Sequence, residues 1–398
     1  MSRLITNSIR STSASADAIT FDGSGNATFP ANITCSGTAT GFGGGRAHNL
    51  IINGAMQVAQ RGTSFSGTAQ QYTLDRMQIN TAGNDEIAQT EQAAVTSGGA
   101  YTAGFRKCLK IINGNQTSGA GATDFVHLKM VLEAQDIANS GWNYTSSSSN
   151  VTLSFWVKSS VAQDFPITLR SEDGTRQVYN MTTGSLSADT WTKVSKTIPG
   201  NSNLQFDDNV NAGLTLFINA FVGTDYTTGS LAQNAWSAWD SAKQGDNMTS
   251  TWYTTNDATL EITGLLLEVA DSASDYPHLS YADELLKCQR YCIRWYARGS
   301  NTYVWMGQSN GSDKIWGIIK IFPVQMRAEP TATISGNYYP VKSGQTVGGT
   351  SKFTTFSFTL NSTYELVGTW SGAAGIDTDA VVVFTNNTAN YIEASAEL

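Results

Sequence analysis

In VTLSFWVKSS (151–160), Val151, Leu153, Phe155 and Val157 fall at every second position. A side-chain period of two fits the buried face of a β-strand and no helix. Similar stretches return in DTWTKVSKTIPG (189–200), GLTLFINAFVG (213–223) and TWYTTNDATLEITGLLLEVAD (251–271), with turn residues between them. A strand with one apolar face must bury it against another layer. From Asn49 to about Pro277 the pattern is strand and turn with little helix, which predicts an antiparallel β-sandwich, a jelly roll with long loops. One stretch inside it, FVHLKMVLEAQDIANS (125–140), reads as a short helix or as a strand followed by a turn. A single core rarely grows past about 250–300 residues, and the chain has 398. It is therefore divided into a stem segment at 1–46, the sandwich at 47–279, a connecting helix at 280–297 and a C-terminal β domain at 298–398.

The flanks of the sandwich differ in kind. Residues 1 to about 20 are rich in Ser, Thr and Ala and lack periodicity, and AITFDGSGNATFPANITCSGTATGFGGGR (18–46) holds short strands around Ile19, Ala27 and Ile33 before a glycine linker. Such strands are too short to build a core alone; several copies side by side would bury them, which implies an oligomer. SYADELLKCQRYCIRWY (280–296) predicts a helix capped by Ser280, with Asp283 in the capping-box position. Tyr281, Leu285, Cys288, Cys292 and Trp295 form one stripe on it, facing either the sandwich or a three-fold axis. TYVWMGQ, KIWGIIKIF, FTTFSFTLN, YELVGTWS and AVVVFTN then mark the strands of the second β domain.

Composition excludes several functions. The net charge is −8 with no basic stripe, so nucleic acid is not an expected partner. No apolar run approaches the ~20 residues that span a bilayer, and MSRLITNSIRSTSASADAITF lacks the apolar core of a signal peptide, which implies cytoplasmic synthesis. Cys35, Cys108, Cys288 and Cys292, with His48, His127 and His278 scattered, make no zinc pattern, and the cysteines read as small buried apolar residues. No nucleophile-elbow, metalloprotease or phosphate-loop motif is present, and no run such as D-x-D-x-D suggests calcium; no cofactor or metal is expected. Charged residues make up 14% against about 25% in a typical domain, a surface suited to work outside a cell or in a rigid assembly.

Three strings carry a resemblance. In NLIINGAMQVAQRGTSF…YTLDRMQI the residues are Asn53, Gly54, Gln60, Arg61, Gly62, Thr63, Ser64, Phe65, Tyr72, Thr73, Asp75 and Arg76. In LEITGLLLEVADSASDYPHLSYADELLKCQRYC they are Ile262, Thr263, Gly264, Leu267, Glu268, Pro277, His278, Tyr281, Glu284, Leu285, Cys288, Gln289, Arg290 and Tyr291. The third is FPVQMRAEPT (322–331). In order and spacing they resemble the bacteriophage tail-fibre and receptor-binding virion proteins, over about residues 49–335. Met56 stands where that family commonly has an aromatic residue, and Ala270 where it has Gly.

The resemblance implies a mainly β homotrimer with a jelly-roll domain of carbohydrate-binding type. Residues 1–46 would anchor it to the phage tail or an adaptor protein, and its β domains would bind a host surface glycan or protein without catalysis. It would be located in the virion, in the tail or the head, after synthesis in the host cytoplasm. A head fibre or capsid-decorating protein and a glycan-depolymerising tailspike are the alternatives. Gly54, Arg61, Gly62, Asp75, Arg76, Glu268, Ser280, Glu284, Gln289 and Arg290 are read as architectural, the two glycines supplying positive φ at turns and the charged residues fixing loops.

Sugar recognition needs exposed aromatic faces with amides and carboxylates nearby. NAWSAWDSAKQGDNMTSTWYTTND (234–257) offers Trp236, Trp239, Trp252 and Tyr253, and the C-terminal domain offers Tyr338, Tyr339, Tyr364, Trp370 and Tyr391. Glycan cleavage takes two carboxylates roughly 5–10 Å apart; Asp85, Glu86, Glu133 and Asp136 are no more than scattered acids. The expected mass in solution is three times the 42.6 kDa of one chain. A monomer in sedimentation equilibrium would overturn the trimeric reading.

Overall fold

A computed structural model describes residues 8–9, 19–21, 23, 27–28, 48–67, 69–227, 232–242, 245, 248–296, 302–309, 313–342, 352–353, 355–372, 380–385 and 387–398. The chain divides into two units, Met1–Arg46 and Ala47–Leu398. In the first, Ser8–Ile9, Ile19–Phe21 and Ala27–Thr28 form a three-stranded antiparallel sheet. Ser8–Ile9 is thus a strand in a segment whose sequence shows no period. The expected strand at Ile33–Cys35 and the glycine linker lie outside the described residues.

In the second unit the period of two is realised. Val151, Leu153, Phe155 and Val157 are each 1% exposed or less. Their strand, Asn150–Ser159, pairs with Thr192–Pro199 on one side and Thr259–Glu268 on the other. The first sheet continues through Lys107–Ile112, Gln89–Ala94 and Ser64–Phe65. The second sheet runs Trp236–Ala238, Gln177–Thr182, Pro166–Ser171, Ala212–Val222, Phe125–Glu133, Gln78–Ala82 and Gln70–Tyr72. All these pairings are antiparallel, and one apolar core lies between the sheets, as the jelly-roll expectation requires. The 125–140 segment is a strand to Glu133 followed by one helical turn, Ala134–Ala138.

Two of the three strings are structural partners. Register along Asn150–Ser159 and Thr259–Glu268 shifts between Ser154↔Leu266 and Trp156↔Thr263. Gly264 and Leu265 therefore oppose Phe155 alone, a bulge made possible by Gly264 at φ 69°. The strand Lys107–Ile112 reaches only as far as Leu109↔Ile262. Beyond it the Asn49–Gly54 segment takes over the pairing. Leu50 N donates to Leu267 O at 2.9 Å and Leu265 N to Gly54 O at 3.0 Å. The Asn49 amide accepts from Ile51 N and Leu267 N, both at 3.0 Å, and donates to Leu265 O at 2.9 Å. Gly54 is needed for this close approach, because a Cβ there would sit 2.1 Å from Leu265 O. The expected positive φ belongs instead to its neighbour Asn53 (61°), and also to Gly62 (121°) and Arg76 (68°). Glu268 closes the bulged strand by accepting from Ser274 N at 2.8 Å and Ser274 Oγ at 2.7 Å.

The connecting helix is shorter than predicted. Ser280 caps it, accepting from Asp283 N at 3.2 Å and donating to Asp283 Oδ2 at 2.6 Å, but it spans only Tyr281–Gln289. Cys292–Tyr296 is a strand, paired with Tyr391–Ser395, which also pairs with Thr331–Ser335. The run Cys-Ile-Arg-Trp-Tyr is rich in residues that favour strands, and a pairing partner 99 residues away decides the matter. The supposed stripe is thereby split: Cys288 and Cys292 are buried in different elements and Tyr281 is 55% exposed. A six-stranded sheet completes the C-terminal region, in the order Tyr339–Lys342, Ala380–Thr385, Thr302–Ser309, Lys314–Ile321, Glu365–Ser371 and Thr355–Asn361. It shares a second core with the short sheet. Cys108, Cys288 and Cys292 are free and buried; Cys35 lies outside the described residues.

All three strings meet the last strand at one buried polar junction. The Asn53 side chain donates to Val58 O and Asp75 O, both at 2.9 Å, and the Asn53 N–H donates to the Glu284 carboxylate. Gln60 bonds Asp75 through its backbone N–H at 2.7 Å and its amide at 2.5 Å, and the same amide donates to Cys292 O at 2.7 Å. Arg61 pairs with Glu393 at 3.4 Å and Glu397 at 3.1 Å. Arg76 pairs with Glu397, donates to Val131 O, and lies 3.5 Å from the centre of the Tyr291 ring. Arg290 grips Glu133 with two bonds of 2.8 and 2.7 Å, and Tyr291 Oη donates to the same carboxylate at 2.5 Å. Arg294 bonds Glu393 at 2.7 Å, and Arg327 donates to Ala396 O and Val210 O at 2.7 and 3.0 Å.

Removing one partner of a buried ion pair strands the other charge. Arg76→Ala is expected to lower the unfolding free energy by about 3–5 kcal/mol. Lys110→Ala, which breaks a more exposed pair with Glu91, should cost at most about 1 kcal/mol. Gly54→Ala should cost at least about 1–3 kcal/mol through overpacking. Urea titration of each variant checks all three.

Candidate functional site

The outer face of the seven-stranded sheet is built by alternation. Val126, Leu128, Met130 and Leu132 point into the core, which leaves Phe125, His127 and Lys129 on the other side. Ile167 and Leu169 face inward and put Thr168 and Arg170 outward; Leu214, Leu216 and Ile218 do the same for Thr215, Phe217 and Asn219. Register sets these side chains in rows. One row runs Asn180, Thr168, Phe217, Lys129, Gln78 and Tyr72, and the next joins Asn219, His127 and Asn80.

Aromatic rings cluster on these rows. His127 stacks on Phe125 with centroids 4.9 Å apart and meets Phe217 edge-on at 5.1 Å. Tyr226 closes on Phe125 at 5.6 Å. The Arg170 guanidinium lies 5.0 Å from the Phe217 ring centre and 5.6 Å from that of Trp239, and Arg176 lies 5.7 Å from Trp239 on its own account. Glu172 holds both cations, Arg170 at 2.9 and 2.8 Å and Arg176 at 3.0 Å, and accepts from Thr215 Oγ1 at 2.5 Å.

Several polar atoms on this face are buried without a partner among the described residues: His127 Nε2, Asn80 Oδ1, Gln78 Oε1, Asn180 Nδ2, Ser237 Oγ and Trp239 Nε1. A buried polar atom left unpaired costs about 1–3 kcal/mol, so the concentration of such atoms on one face points to something that satisfies them. Phe125, Phe217, Tyr226 and Trp239 are half-buried, each leaving part of its ring to solvent. Burial, helped by the charges of Lys129 and Arg170, pushes the His127 pKa down to about 3. Burial and then Arg170 also hold the Lys129 ammonium below its ordinary value. Apolar ring faces beside unsatisfied amides and cations can stack a sugar ring and bond its hydroxyls.

Of the aromatic residues singled out in the sequence, only Trp239 stands on this face. Trp236 is on the core side of an edge strand, donating Nε1–H to Pro199 O at 2.6 Å, edge-on to Tyr179. Trp252 and Tyr253 are 0% exposed, because the helical turn Thr251–Thr254 directs both rings inward. Tyr253 stacks on Phe221 and donates to Asp124 at 3.1 Å. Tyr338 and Trp370 pack together in the second core with centroids 4.8 Å apart, so neither presents a surface. Tyr339 is half-buried in its strand, Tyr364 is exposed alone at a turn, and Tyr391 is covered by Arg294 at 3.9 Å.

The carboxylates are also engaged. Asp85 accepts from Thr117 and Ser118, Glu86 from Asn115 N, and Glu133 from Arg290 and Tyr291; Asp136 is held above its ordinary pKa by burial and then by Glu133. The residues that sequence reasoning missed are Phe125, His127, Lys129, Arg170 and Phe217. Their signal was the off-beat of the same alternation that marked the strands.

A concavity of about 510 Å³ opens elsewhere, beside the bulge, between Phe105, Trp156, Lys193, Tyr276 and His278. Several of its polar groups are turned back on the protein. His278 Nε2 meets Ala103 O at 3.0 Å, Tyr276 Oη bonds Asn49 and Ala55, and Ser274 bonds Glu268. The sheet face is the better candidate because its polar atoms are the unsatisfied ones.

No protein-family model and no curated protein matches the chain. Among solved structures it is similar to the enzymatically active domain of tailspike protein 4 from bacteriophage CBA120, at 8% identity and a TM-score of 0.30, covering 56% of this chain and 21% of that one. The family 11 carbohydrate-binding module from Clostridium thermocellum matches at 13% identity and a TM-score of 0.24, over 52% of this chain and 96% of that one. The N-terminal CBM22 tandem domain of Paenibacillus barcinonensis Xyn10C matches at 11% and 0.28, over 88% and 98%. The chain spans about a fifth of the tailspike domain. Likenesses this distant carry no argument about function.

His127 gives this face a pH signature. Its folded pKa of about 3 lies below the unfolded value of about 6.5. Its contribution to stability is therefore complete above about pH 6.5 and is lost as pH falls toward 3, where the unfolded chain binds the proton and the folded chain does not. Melting temperature is expected to drop between pH 6.5 and 4, and His127→Gln should flatten that drop. An unchanged slope in the variant would exclude His127 as its source.

Proposed function

We propose that this chain is a non-enzymatic, glycan-binding fibre protein of a bacteriophage particle. The observation that carries the glycan reading is the outer face of the seven-stranded sheet. There the half-exposed rings of Phe125, Phe217, Tyr226 and Trp239 adjoin buried amide and imidazole atoms that lack partners. The fibre reading rests on the three strings, whose resemblance to tail-fibre proteins extends over most of the second unit. Residues 1–46 act as the attachment segment, and the functional unit is a homotrimer on the virion. Several such faces on one particle raise a weak single-site affinity through effective concentration. Binding without cleavage suits a face that offers rings and amides rather than a free pair of carboxylates.

Immobilised surface polysaccharide from candidate host bacteria should retain the purified protein. Trp239→Ala and Phe217→Ala, checked for unchanged melting, should each weaken binding about tenfold or more, the equivalent of 1.4 kcal/mol. Retention that both variants preserve would place the site elsewhere. Steady release of reducing ends during incubation would replace the binding reading with that of a depolymerase.

A further inference from the structure

Cations gather on the candidate face of an acidic chain. The protein carries −8 overall, yet Lys129, Arg170 and Arg176 stand together here around the carboxylate of Glu172. The Glu172 carboxylate bonds Arg170, Arg176 and Thr215 rather than Lys129. Arg170 and Thr215 take one of its oxygens and Arg176 the other. Lys129 forms no ion pair with any described residue. It stands between Phe217 and Gln78 in register, half-buried, and the charged groups that act on it are Arg170 and Glu172.

A half-buried ammonium beside a guanidinium, with no ion pair of its own, is unfavourable. Several of the other semi-buried cations have a carboxylate, while Arg327 bonds backbone carbonyls instead. Arg61, Arg76, Arg290 and Arg294 each have a carboxylate, and Lys158 has Glu261 at 2.9 Å. Lys129 has no such bond among the described residues, at the place where unpaired donors and acceptors also collect. Asn180 Nδ2 and Trp239 Nε1 lie toward the Arg170 end, and Gln78 Oε1, Asn80 Oδ1 and His127 Nε2 lie around Lys129. The row from Thr168 to Gln78 crosses three strand spacings, about 14 Å, with the Phe217 ring in the middle.

We infer that the ligand of this face is an acidic glycan, with an anionic substituent seated against Lys129 and the adjoining sugar ring over Phe217. The inference rests on the glycan-binding reading and narrows it. Both a uronic-acid carboxylate and a phosphodiester supply the required chemistry. In either case the anion neutralises a charge that the fold leaves open.

The test is a panel of purified bacterial capsular and cell-wall polysaccharides. Each is assayed as isolated, after chemical reduction of its carboxyl groups to alcohols, and after removal of its phosphate. The expected result is that every bound member is acidic and loses about tenfold or more in affinity when its anion is removed, the carboxyl and phosphate arms telling the two sources apart. Lys129→Gln, at unchanged melting temperature, should reproduce that loss on the intact polysaccharide and have no further effect on the neutralised one. Binding of neutral members with equal affinity, unaffected by Lys129→Gln, would overturn the acidic inference while leaving glycan binding intact. Failure of the whole panel to bind would overturn both.

Discussion

The structure depends on a set of buried guanidinium–carboxylate contacts between the sandwich and the last residues of the chain. Arg61 and Arg76 come from the first loops of the sandwich, Arg294 from the strand after the helix and Arg327 from the loop after the six-stranded sheet's second long hairpin strand. All converge on Glu393, Glu397 and the neighbouring backbone. Charges taken out of water are tolerated only when geometry and hydrogen bonding are nearly complete, and here the bonds are numerous and directional. Arg76 is also pressed against the ring of Tyr291, whose hydroxyl is committed to Glu133. Such a network adds little net stability over an apolar one. It specifies one arrangement, because a misplaced loop leaves a charge unpaired.

This constraint explains why so specific a string occurs where no chemistry is evident. Gln60, Arg61, Asp75 and Arg76 are the sandwich half of the junction; Glu284, Arg290 and Tyr291 are the helix half; and Arg327 is the contribution of the third string. With the junction fixing one side of the sandwich, the outer face of the seven-stranded sheet is left to present its own rows. The same strands that bury Leu128, Leu216 and Leu169 on one side display His127, Phe217 and Arg170 on the other. Scaffold and candidate site are two faces of one alternation.

Much of the architecture was legible in advance. The sandwich followed from the period of two and the Ser280 cap from its Asp three residues later. The helix was overextended because Cys292 and Trp295 fit a helical stripe as well as a strand, and only pairing with Tyr391–Ser395 separates the two. The glycan candidates were chosen by residue type in loop-like sequence, which selected Trp252, Tyr253, Tyr338 and Trp370, all of them core. An aromatic side chain is the richest apolar surface available for burial, so its type alone says little about which way it faces. Lys129 and His127 passed unnoticed because a lone cation or imidazole on a strand has no motif.

What the sequence determined by itself was local: the strands, the turns and the cap. Each follows from the geometry of a few adjacent residues. Tertiary structure alone decided which carboxylate each arginine meets, which rings reach the surface, and that Lys129 stands without an ion pair among the described residues, beside unsatisfied amides. Those outcomes depend on pairing across 55 to 336 residues of chain, where the energy of a contact is set by how completely the surrounding layers exclude water.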